Sequence, residues 1–205
     1  MAIGVQGVEP AAFAAAAEAL GAGAPSVPVP GLAEPLKPAH ARLARMAGLC
    51  DRLFLTRPPL APGAILCGAS HAPAPGQRAH AAGLGPTALA AWTRAMGEVA
   101  EARALCPLPD DPRLTDGALP ALDAALRPSG AVPAALGLRL GGGAPVSGLG
   151  AGADVAQAAR AAWHEAVERH AIALWLAAAA PARPFAAPPS LRAFEAALRR
   201  GVPVA

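Results

Sequence analysis

The chain has 205 residues, 17 of them basic and 14 acidic, so its formal net charge is only +3. The charges form no runs, and this pattern argues against a nucleic-acid-binding protein. Hydrophobic residues make up 54% of the chain, but many of them are alanine, and aromatic residues make up only 3%. A chain of this length can form one domain, whose core here must consist mainly of leucine, valine and alanine.

The cysteines and the apolar segments indicate where the protein resides. Cys50, Cys67 and Cys106 lie far apart and have no metal-ligand or redox spacing. An odd, scattered set of this kind is typical of buried thiols in a reducing compartment. No basic segment precedes the first apolar stretch, and the longest apolar run, residues 171–180, is about half the length of a membrane helix. We therefore expect a cytoplasmic protein with no membrane partner.

Residues 1–49 are predicted to form a helical N-terminal segment with a linker. An alanine-rich helix is predicted at residues 11–20, and a second helix at residues 40–49. Between them, residues 21–38 are rich in glycine and proline and are predicted to be a linker. The main domain is expected to span residues 50–205.

Short strands and helices are mixed in the segment from residue 50 onwards. Strands are predicted at residues 52–56, 64–69 and 132–140, and a loop at residues 71–82. Helices are predicted at residues 87–105, 119–126, 154–180 and 190–200, and residues 202–205 resemble the start of a strand. The mixture predicts an α/β or α+β domain. Since the chain stops at the start of a predicted strand, we expect the domain to be truncated.

The chain also contains an internal repeat with an offset of 67 residues and no gap. The aligned pairs are Gly83 and Gly150, Gly85 and Gly152, Thr87 and Asp154, Ala91 and Ala158, Ala95 and Ala162, Glu98 and Glu165, and Glu101 and Glu168. Each half therefore contains a glycine turn, an N-cap residue, a helix and two glutamates three residues apart. The glycines are predicted to allow positive φ and a close backbone approach.

The repeat places two pairs of carboxylates on helices. Residues three apart are neighbours on a helix, so Glu98 lies beside Glu101 and Glu165 beside Glu168. If the two helices pack as pseudo-symmetric partners, four carboxylates converge, and their repulsion would favour a divalent cation among them. Mg²⁺ prefers oxygen ligands and commonly bridges to nucleotide phosphates. The alternative is that both pairs lie on solvated faces of alanine-rich helices that match by chance.

The second half of the repeat, residues 147–175, resembles a segment of the YcaO family. In the family, this segment has a Ser-Gly-Leu-Ala-Ala-Gly-like turn, then a helix that contains Glu-x-x-Glu-Arg-Asp-Ala, and then Leu-Trp. In this chain the turn is Ser-Gly-Leu-Gly-Ala-Gly, the helix contains Glu-Ala-Val-Glu-Arg-His-Ala, and Leu-Trp follows. The first half, residues 83–101, resembles the family's earlier Gly-Lys-Gly and Gly-Glu-x-x-Glu-Arg motif. The resemblance covers about residues 50–205. It implies a YcaO-like mixed sheet with pseudo-symmetric paired helices.

The resemblance also implies a function and a set of site residues. Glu98, Glu101, Glu165 and Glu168 would hold Mg²⁺ and the phosphates of ATP, and Arg169 would neutralise phosphate charge or brace the glutamates. YcaO enzymes use ATP to activate backbone amides of a peptide, which yields azolines, thioamides or amidines. The implied partners are a peptide or protein substrate and a leader-peptide-binding or TfuA-like protein, and a homodimer is compatible with the family. No catalytic residue is assigned.

Several departures from the family pattern leave two alternatives open. Leu84, Ala102 and His170 stand where the family has lysine, arginine and aspartate, and the C-terminal half of the family domain is absent from the sequence. One alternative is a degenerate, non-catalytic YcaO-like module that binds a peptide or a partner protein. The other is a truncated reading frame that does not fold alone.

Other residues with reactive or aromatic side chains are expected to have ordinary structural roles. Trp92, Trp163 and Trp175 lie on predicted helices, where we expect them to pack. His71 and His80 lie in the predicted loop before the repeat, where we expect them to be solvated.

Overall fold

The computed structural model describes residues 5–59, 61–106, 117–123, 125, 127–133, 148–152 and 154–177. The helices are α1 (Pro10–Gly21), α2 (Ala41–Gly48), α3 (Ala88–Leu105) and α4 (Val155–Leu176). The strands are β1 (Gln6–Val8), β2 (Cys50–Thr56), β3 (Ile65–His71), β4 (Ala79–Gly85), β5 (Ala118–Leu122) and β6 (Pro128–Pro133). These elements confirm the predicted mixed α/β class.

The described residues divide into two compact units. Of the described residues, those between 5 and 72 and between 76 and 99 belong to the first unit, and those between 73 and 75 and between 100 and 177 belong to the second. This division differs from the predicted one at residues 49 and 50. The reason is that β1 pairs with β2 and the helix α1 packs on both α2 and β2, so the N-terminal segment is an integral part of the first unit.

The first unit contains a four-stranded antiparallel sheet in the order β1-β2-β3-β4. β2 and β3 confirm the strands predicted at residues 52–56 and 64–69. β4 contradicts the predicted loop, because residues 79–85 pair one by one with residues 71–65 of β3. The sequence of β4, Ala-His-Ala-Ala-Gly-Leu-Gly, has no β-branched residue, so this strand results from pairing with its neighbour rather than from local propensity.

One face of this sheet and the three helices α1, α2 and α3 enclose a single hydrophobic core. At its centre the rings of Phe13 on α1 and Trp92 on α3 are stacked, with centroids 5.2 Å apart and an angle of 7° between the planes. The ring of His40 meets Trp92 edge-on at 6.3 Å. Trp92 is 1% exposed, which confirms its predicted packing role. This aromatic pair supplies volume that the surrounding alanines lack.

The predicted linker at residues 21–38 is part of the same core. Val27 and Leu36 form a two-residue bridge, in which each backbone N–H donates to the other's carbonyl at 2.9 Å. Leu36 is fully buried, and Val29 is 3% exposed. The segment is irregular in backbone, as its prolines predict, but its apolar side chains anchor it to the first unit.

The second unit contains the β5–β6 hairpin, where a helix was predicted at residues 119–126. Leu119 pairs with Val132 across the two antiparallel strands. Asp123 organises the turn, because its carboxylate accepts hydrogen bonds from the backbone N–H groups of Ala125 and Arg127 and from the Arg127 side chain. The same Arg127 contacts hold the pKa of Asp123 below its usual value. A side chain that bonds its own turn competes with helix formation, so the helix prediction was wrong.

The remaining predicted elements have mixed outcomes. α1, α2, α3 and α4 confirm the four helices predicted over the corresponding residues, and α4 ends at Leu176. The strand predicted at residues 132–140 overlaps β6 only at residues 132 and 133, and its remainder lies outside the described residues. The predicted helix at residues 190–200 and the strand start at residues 202–205 also lie outside them. Within the described part of the chain, no helix has the length and apolar character that crossing a bilayer requires.

All three cysteines are free thiols and are buried, as predicted. Cys67 lies on β3 and is 2% exposed. Burial in apolar surroundings raises the pKa of the Cys67 thiol to about 12, and the nearby Cys50 adds to the increase. Since the thiolate is the nucleophilic form, Cys67 is unreactive in the folded protein at neutral pH.

Alkaline pH is expected to destabilise the folded chain through Cys67. The unfolded thiol loses its proton near pH 9.0 and the folded thiol near pH 12. Stability is therefore fully present below pH 9, and the free energy of unfolding falls by about 1.4 kcal/mol for each pH unit between pH 9 and about pH 12. The chain has no tyrosine and a single lysine, Lys37, so few other groups titrate in this range.

Urea unfolding at a series of alkaline pH values measures this effect. A Cys67→Ala variant lacks the titrating thiol and should lose less stability between pH 9 and the onset of alkaline unfolding. An equal loss in the wild type and the variant would contradict the assignment to Cys67.

Candidate functional site

The first half of the repeat connects β4 to α3 through a capped helix start. The Thr87 hydroxyl oxygen accepts a hydrogen bond from the N–H of Ala90 at 3.2 Å. The carbonyl oxygen of Thr87 accepts the first helical hydrogen bond, from the N–H of Ala91 at 3.0 Å. Thr87 is therefore the N-cap that the sequence predicts.

The second half starts α4 in the same way. The Asp154 carboxylate accepts a hydrogen bond from the N–H of Gln157 at 2.7 Å, and its carbonyl accepts one from Ala158 at 3.0 Å. Each partner lies 67 residues after its counterpart in the first half. The predicted equivalence of the two helix starts is confirmed.

The aligned glycines bring the backbone of each helix against the segment that precedes it. A Cβ atom on Gly83 would overlap the carbonyl oxygen of Ala91 and the nitrogen of Ala95. A Cβ atom on Gly150 would overlap the same atoms of Ala158 and Ala162, which are the aligned residues. The two halves therefore share one packing geometry, and the predicted close backbone approach is confirmed.

The positive φ that these glycines permit is not adopted at any of the four. The described glycines with positive φ are Gly23, Gly31, Gly76, Gly117, Gly130 and Gly148, which excludes all four glycines of the aligned turns. Gly85 and Gly152 also serve close packing, since a Cβ on either would lie 2.7 Å and 2.5 Å from the nitrogens of Ala91 and Ala158. The lack of a side chain, and not backbone freedom, is what these positions require.

The two halves differ in what holds the glycine segment. In the first half, that segment is the strand β4, which is fixed by pairing with β3. In the second half, residues 148–152 are not in a strand. There the Glu165 carboxylate accepts a hydrogen bond from the N–H of Leu149 at 2.5 Å, while its other oxygen lies 2.5 Å from the guanidinium of Arg169. A side chain of α4 thus takes over part of the role of a neighbouring strand.

The predicted site residues lie at matched positions of α3 and α4. Glu98 on α3 and Glu168 on α4 are exposed, whereas Glu101 is half-buried. The side chain of Glu165 is 25% exposed, and Arg169 is more exposed. The ion pair between Arg169 and Glu165 is the contact that Arg169 needs in order to brace a glutamate. Contact of Arg169 with phosphate stays a prediction.

Convergence of the four glutamates also stays a prediction. Glu98 belongs to the first unit, and Glu101, Glu165 and Glu168 belong to the second. Among the described residues, no group of three or more His, Cys, Asp or Glu side chains is placed to hold a metal ion.

Some contacts and burials in this region were not predicted. Arg94 donates a hydrogen bond from its guanidinium to the carbonyl oxygen of Leu84, and Leu149 donates to Glu165. Neither contact has a sequence signal, because each joins a side chain to a distant backbone group. The prediction that His71 is solvated is wrong, since it is the last residue of β3 and is buried. His80 on β4 is exposed, as expected.

Substituting Gly83 tests the shared packing geometry. A Gly83→Ala side chain would meet α3 backbone atoms that cannot move independently, so we expect a loss of about 1–3 kcal/mol or more in the free energy of unfolding. Urea unfolding gives the loss directly. Gly7→Ala on β1 is the matched control, because its Cβ would have no atom within 4 Å. Equal stabilities of the two variants would contradict the close approach.

The role of Glu165 can be tested at the backbone amide of Leu149. A Glu165→Ala variant removes the acceptor of that N–H, so hydrogen exchange at Leu149 should accelerate about fivefold or more. Exchange measured by NMR or mass spectrometry resolves this amide. Glu168→Ala is the control on the same helix, and it should leave the exchange rate unchanged. Equal effects of the two substitutions would exclude Glu165 as the group that fixes the glycine segment.

The family resemblance rests on the residues of the repeat. No family model matches the chain, and no curated protein and no solved structure matches it either. The mixed α/β fold and the duplicated helix start are therefore established from the structure itself, and membership of the YcaO family stays a prediction.

Proposed function

We propose that the chain binds Mg-ATP and uses it to activate backbone amides of a peptide or protein, as the resemblance to the YcaO family implies. The observation that supports the proposal is the duplicated geometry. Each half has an N-cap at the matched position, Thr87 or Asp154, and the same glycine packing, and each carries two glutamates at matched positions of its helix. Such duplication is what a pseudo-symmetric cation site would need.

The chemistry of the donors fits Mg²⁺. Glu98, Glu101, Glu165 and Glu168 offer carboxylate oxygens, which Mg²⁺ prefers as ligands alongside nucleotide phosphates. A carboxylate has about four lone-pair sites, so Glu165 can keep its hydrogen bond from Leu149 and still bind a cation. Bound Mg-ATP would supply the phosphoryl group that converts an amide oxygen into a leaving group.

A cytoplasmic location belongs to the same proposal. Mg-ATP is abundant in that compartment, and its reducing conditions would preserve the three free thiols.

The alternative is a non-catalytic YcaO-like module that binds a peptide or a partner protein. The Glu165 contacts favour it, because both oxygens of this carboxylate already have partners within the chain. Leu84 also favours it, since the family has a lysine at that position. In this alternative Glu165 and Arg169 fix the glycine segment against α4, and the exposed glutamates lie on solvated helix faces.

Titration calorimetry with Mg-ATP separates the two proposals. The wild-type chain should bind Mg-ATP weakly, and Glu98→Gln and Glu168→Gln should each weaken binding about tenfold or more, because each removes a negatively charged ligand. Both side chains are exposed, so neither change should disturb folding. Glu18→Gln on α1 is the matched control, since Glu18 is also exposed and lies outside the repeat.

Each protein should show a cooperative thermal melt before its titration is interpreted. A wild-type chain that melts cooperatively but gives no heat with Mg-ATP would exclude the nucleotide site and support the non-catalytic module. Binding that is equally strong in all variants would show that the glutamates are not the ligands.

A further inference from the structure

Two parts of the described surface are candidates for contact with another molecule. On α4, seven large apolar side chains are between 40% and 72% exposed, including Trp163 and Trp175, so the prediction that these two tryptophans pack is wrong. These side chains surround the helix and define no single face. The free edge of the four-stranded sheet is more specific, because its hydrogen-bonding groups define both the geometry and the chemistry of a partner.

The two edges of the described sheet differ in how they are protected against further pairing. β1 forms one edge and is three residues long, which is too short for extensive pairing. β4 forms the other edge and has seven residues. It contains no proline, lysine, arginine, aspartate or glutamate, and it pairs with β3 residue by residue without a bulge. Because these are the features that usually prevent an edge strand from pairing further, β4 is open to another strand.

The backbone of β4 has hydrogen-bonding groups on its free side. An edge strand directs a row of N–H and C=O groups away from its neighbour. In the described part of the chain, β3 is the one strand that pairs with β4. The carbonyl oxygen of Leu84 accepts a hydrogen bond from the Arg94 guanidinium, and this contact comes from a side chain rather than from a strand. His80 and Ala82 are exposed, so solvent reaches this part of the sheet.

Arginines lie at both ends of β4. Arg78 directly precedes the strand, and Arg94 contacts Leu84 near its end. Both arginines are exposed, and neither forms an ion pair with a described residue. Pairing of β4 with β4 of a second copy would bring these positive charges together, so charge disfavours a second copy as the partner. The same charges favour a strand that carries carboxylates at its ends.

We propose that β4 binds an extended segment of an acidic peptide as a fifth strand of the sheet. Backbone hydrogen bonds along the strand provide most of the affinity, as in other complexes formed by strand addition. Since β4 consists of alanine, glycine, one leucine and one histidine, sequence preference arises mainly from the arginines at its ends. The proposal rests on the proposed function only for the class of partner, a peptide, and it applies equally to a chain that binds no nucleotide.

Hydrogen exchange of the full chain with a synthetic peptide tests the proposal in the absence of Mg²⁺ and nucleotide. The probe is Glu-Val-Thr-Val-Thr-Val-Glu with blocked ends, which has the length of β4 and the same sequence in both directions. It therefore fits a parallel or an antiparallel fifth strand. Saturating probe should slow exchange of the free-edge amides of residues 79–85 about tenfold or more and leave β1 unchanged. Absence of protection in β4 would overturn this proposal and leave the Mg-ATP site unaffected.

An N-methylated probe tests whether backbone pairing is responsible. Methyl groups on the backbone nitrogens of its valines and threonines remove the central N–H donors and keep every side chain and charge. This version should bind about tenfold or more weakly than the unmodified probe, because a fifth strand needs those donors. Equal affinity of the two peptides would mean that side chains alone are recognised, and it would overturn strand addition.

The preference for an acidic peptide is tested by changing charge on either partner. A probe with lysine in place of both glutamates should bind about threefold or more weakly at low salt, and so should the original probe to an Arg78→Glu variant. Arg45→Glu is the matched control, because Arg45 is an exposed arginine on α2, outside the sheet, and its substitution should leave affinity unchanged. A cooperative melt should confirm that both variants fold.

Two results of these measurements would contradict the choice of partner. Equal binding of the acidic and the basic probe would exclude an acidic peptide as the preferred class. Protection of β4 that rises with protein concentration in the absence of any probe would assign this edge to a second copy of the chain.

Discussion

Backbone-to-backbone contact at the aligned glycines is the constraint on which the placement of both repeat helices depends. At Gly83 and Gly150 the helix lies so close to the preceding segment that no Cβ atom fits between them. The N-caps Thr87 and Asp154 then start each helix a few residues later, at the same position relative to that contact. Since an α-helix advances by a fixed rise and rotation per residue, the matched glutamates further along are placed by the same contact.

Equivalent placement has not produced equivalent surroundings. In the first half the glycine segment is the strand β4, whose pairing with β3 leaves the exposed Glu98 without a role in holding it. In the second half Glu165 occupies the same position on its helix, and its carboxylate accepts the N–H of Leu149 and pairs with Arg169. Of the glutamates in the repeat, Glu165 therefore has a structural role, whereas Glu98 and Glu168 are exposed. This difference bears on the choice between a nucleotide site and a non-catalytic module, because Glu165 has a stabilising role in either case.

The parts of the fold that depend on local sequence could be predicted, and those that depend on distant pairing could not. Thr87 and Asp154 are N-cap residues whose partners lie within one helical turn, so both helix starts were predictable. β4 has an alanine- and glycine-rich sequence that resembles a loop, and it is a strand only because β3 lies beside it. The hairpin β5–β6 was missed for a different reason: its turn at Asp123 is local, but the surrounding segment is rich in alanine and leucine and favours a helix by composition. In the repeat, both the alignment of the glycines and their close backbone approach were predictable, but only the structure shows which helix atoms each glycine meets.

The alanine-rich composition links the core of the first unit to the open face of α4. Alanine buries little apolar area, and apolar burial stabilises a fold by about 25 cal/mol per Å². The first unit compensates with the Phe13–Trp92 stack and with helices that approach the sheet closely through glycine. On α4 the large side chains that could provide similar burial, above all Trp163, are exposed. Because a chain with so few aromatic residues gains most from burying each one, the described part of the second unit lacks the type of contact that Trp92 supplies to the first.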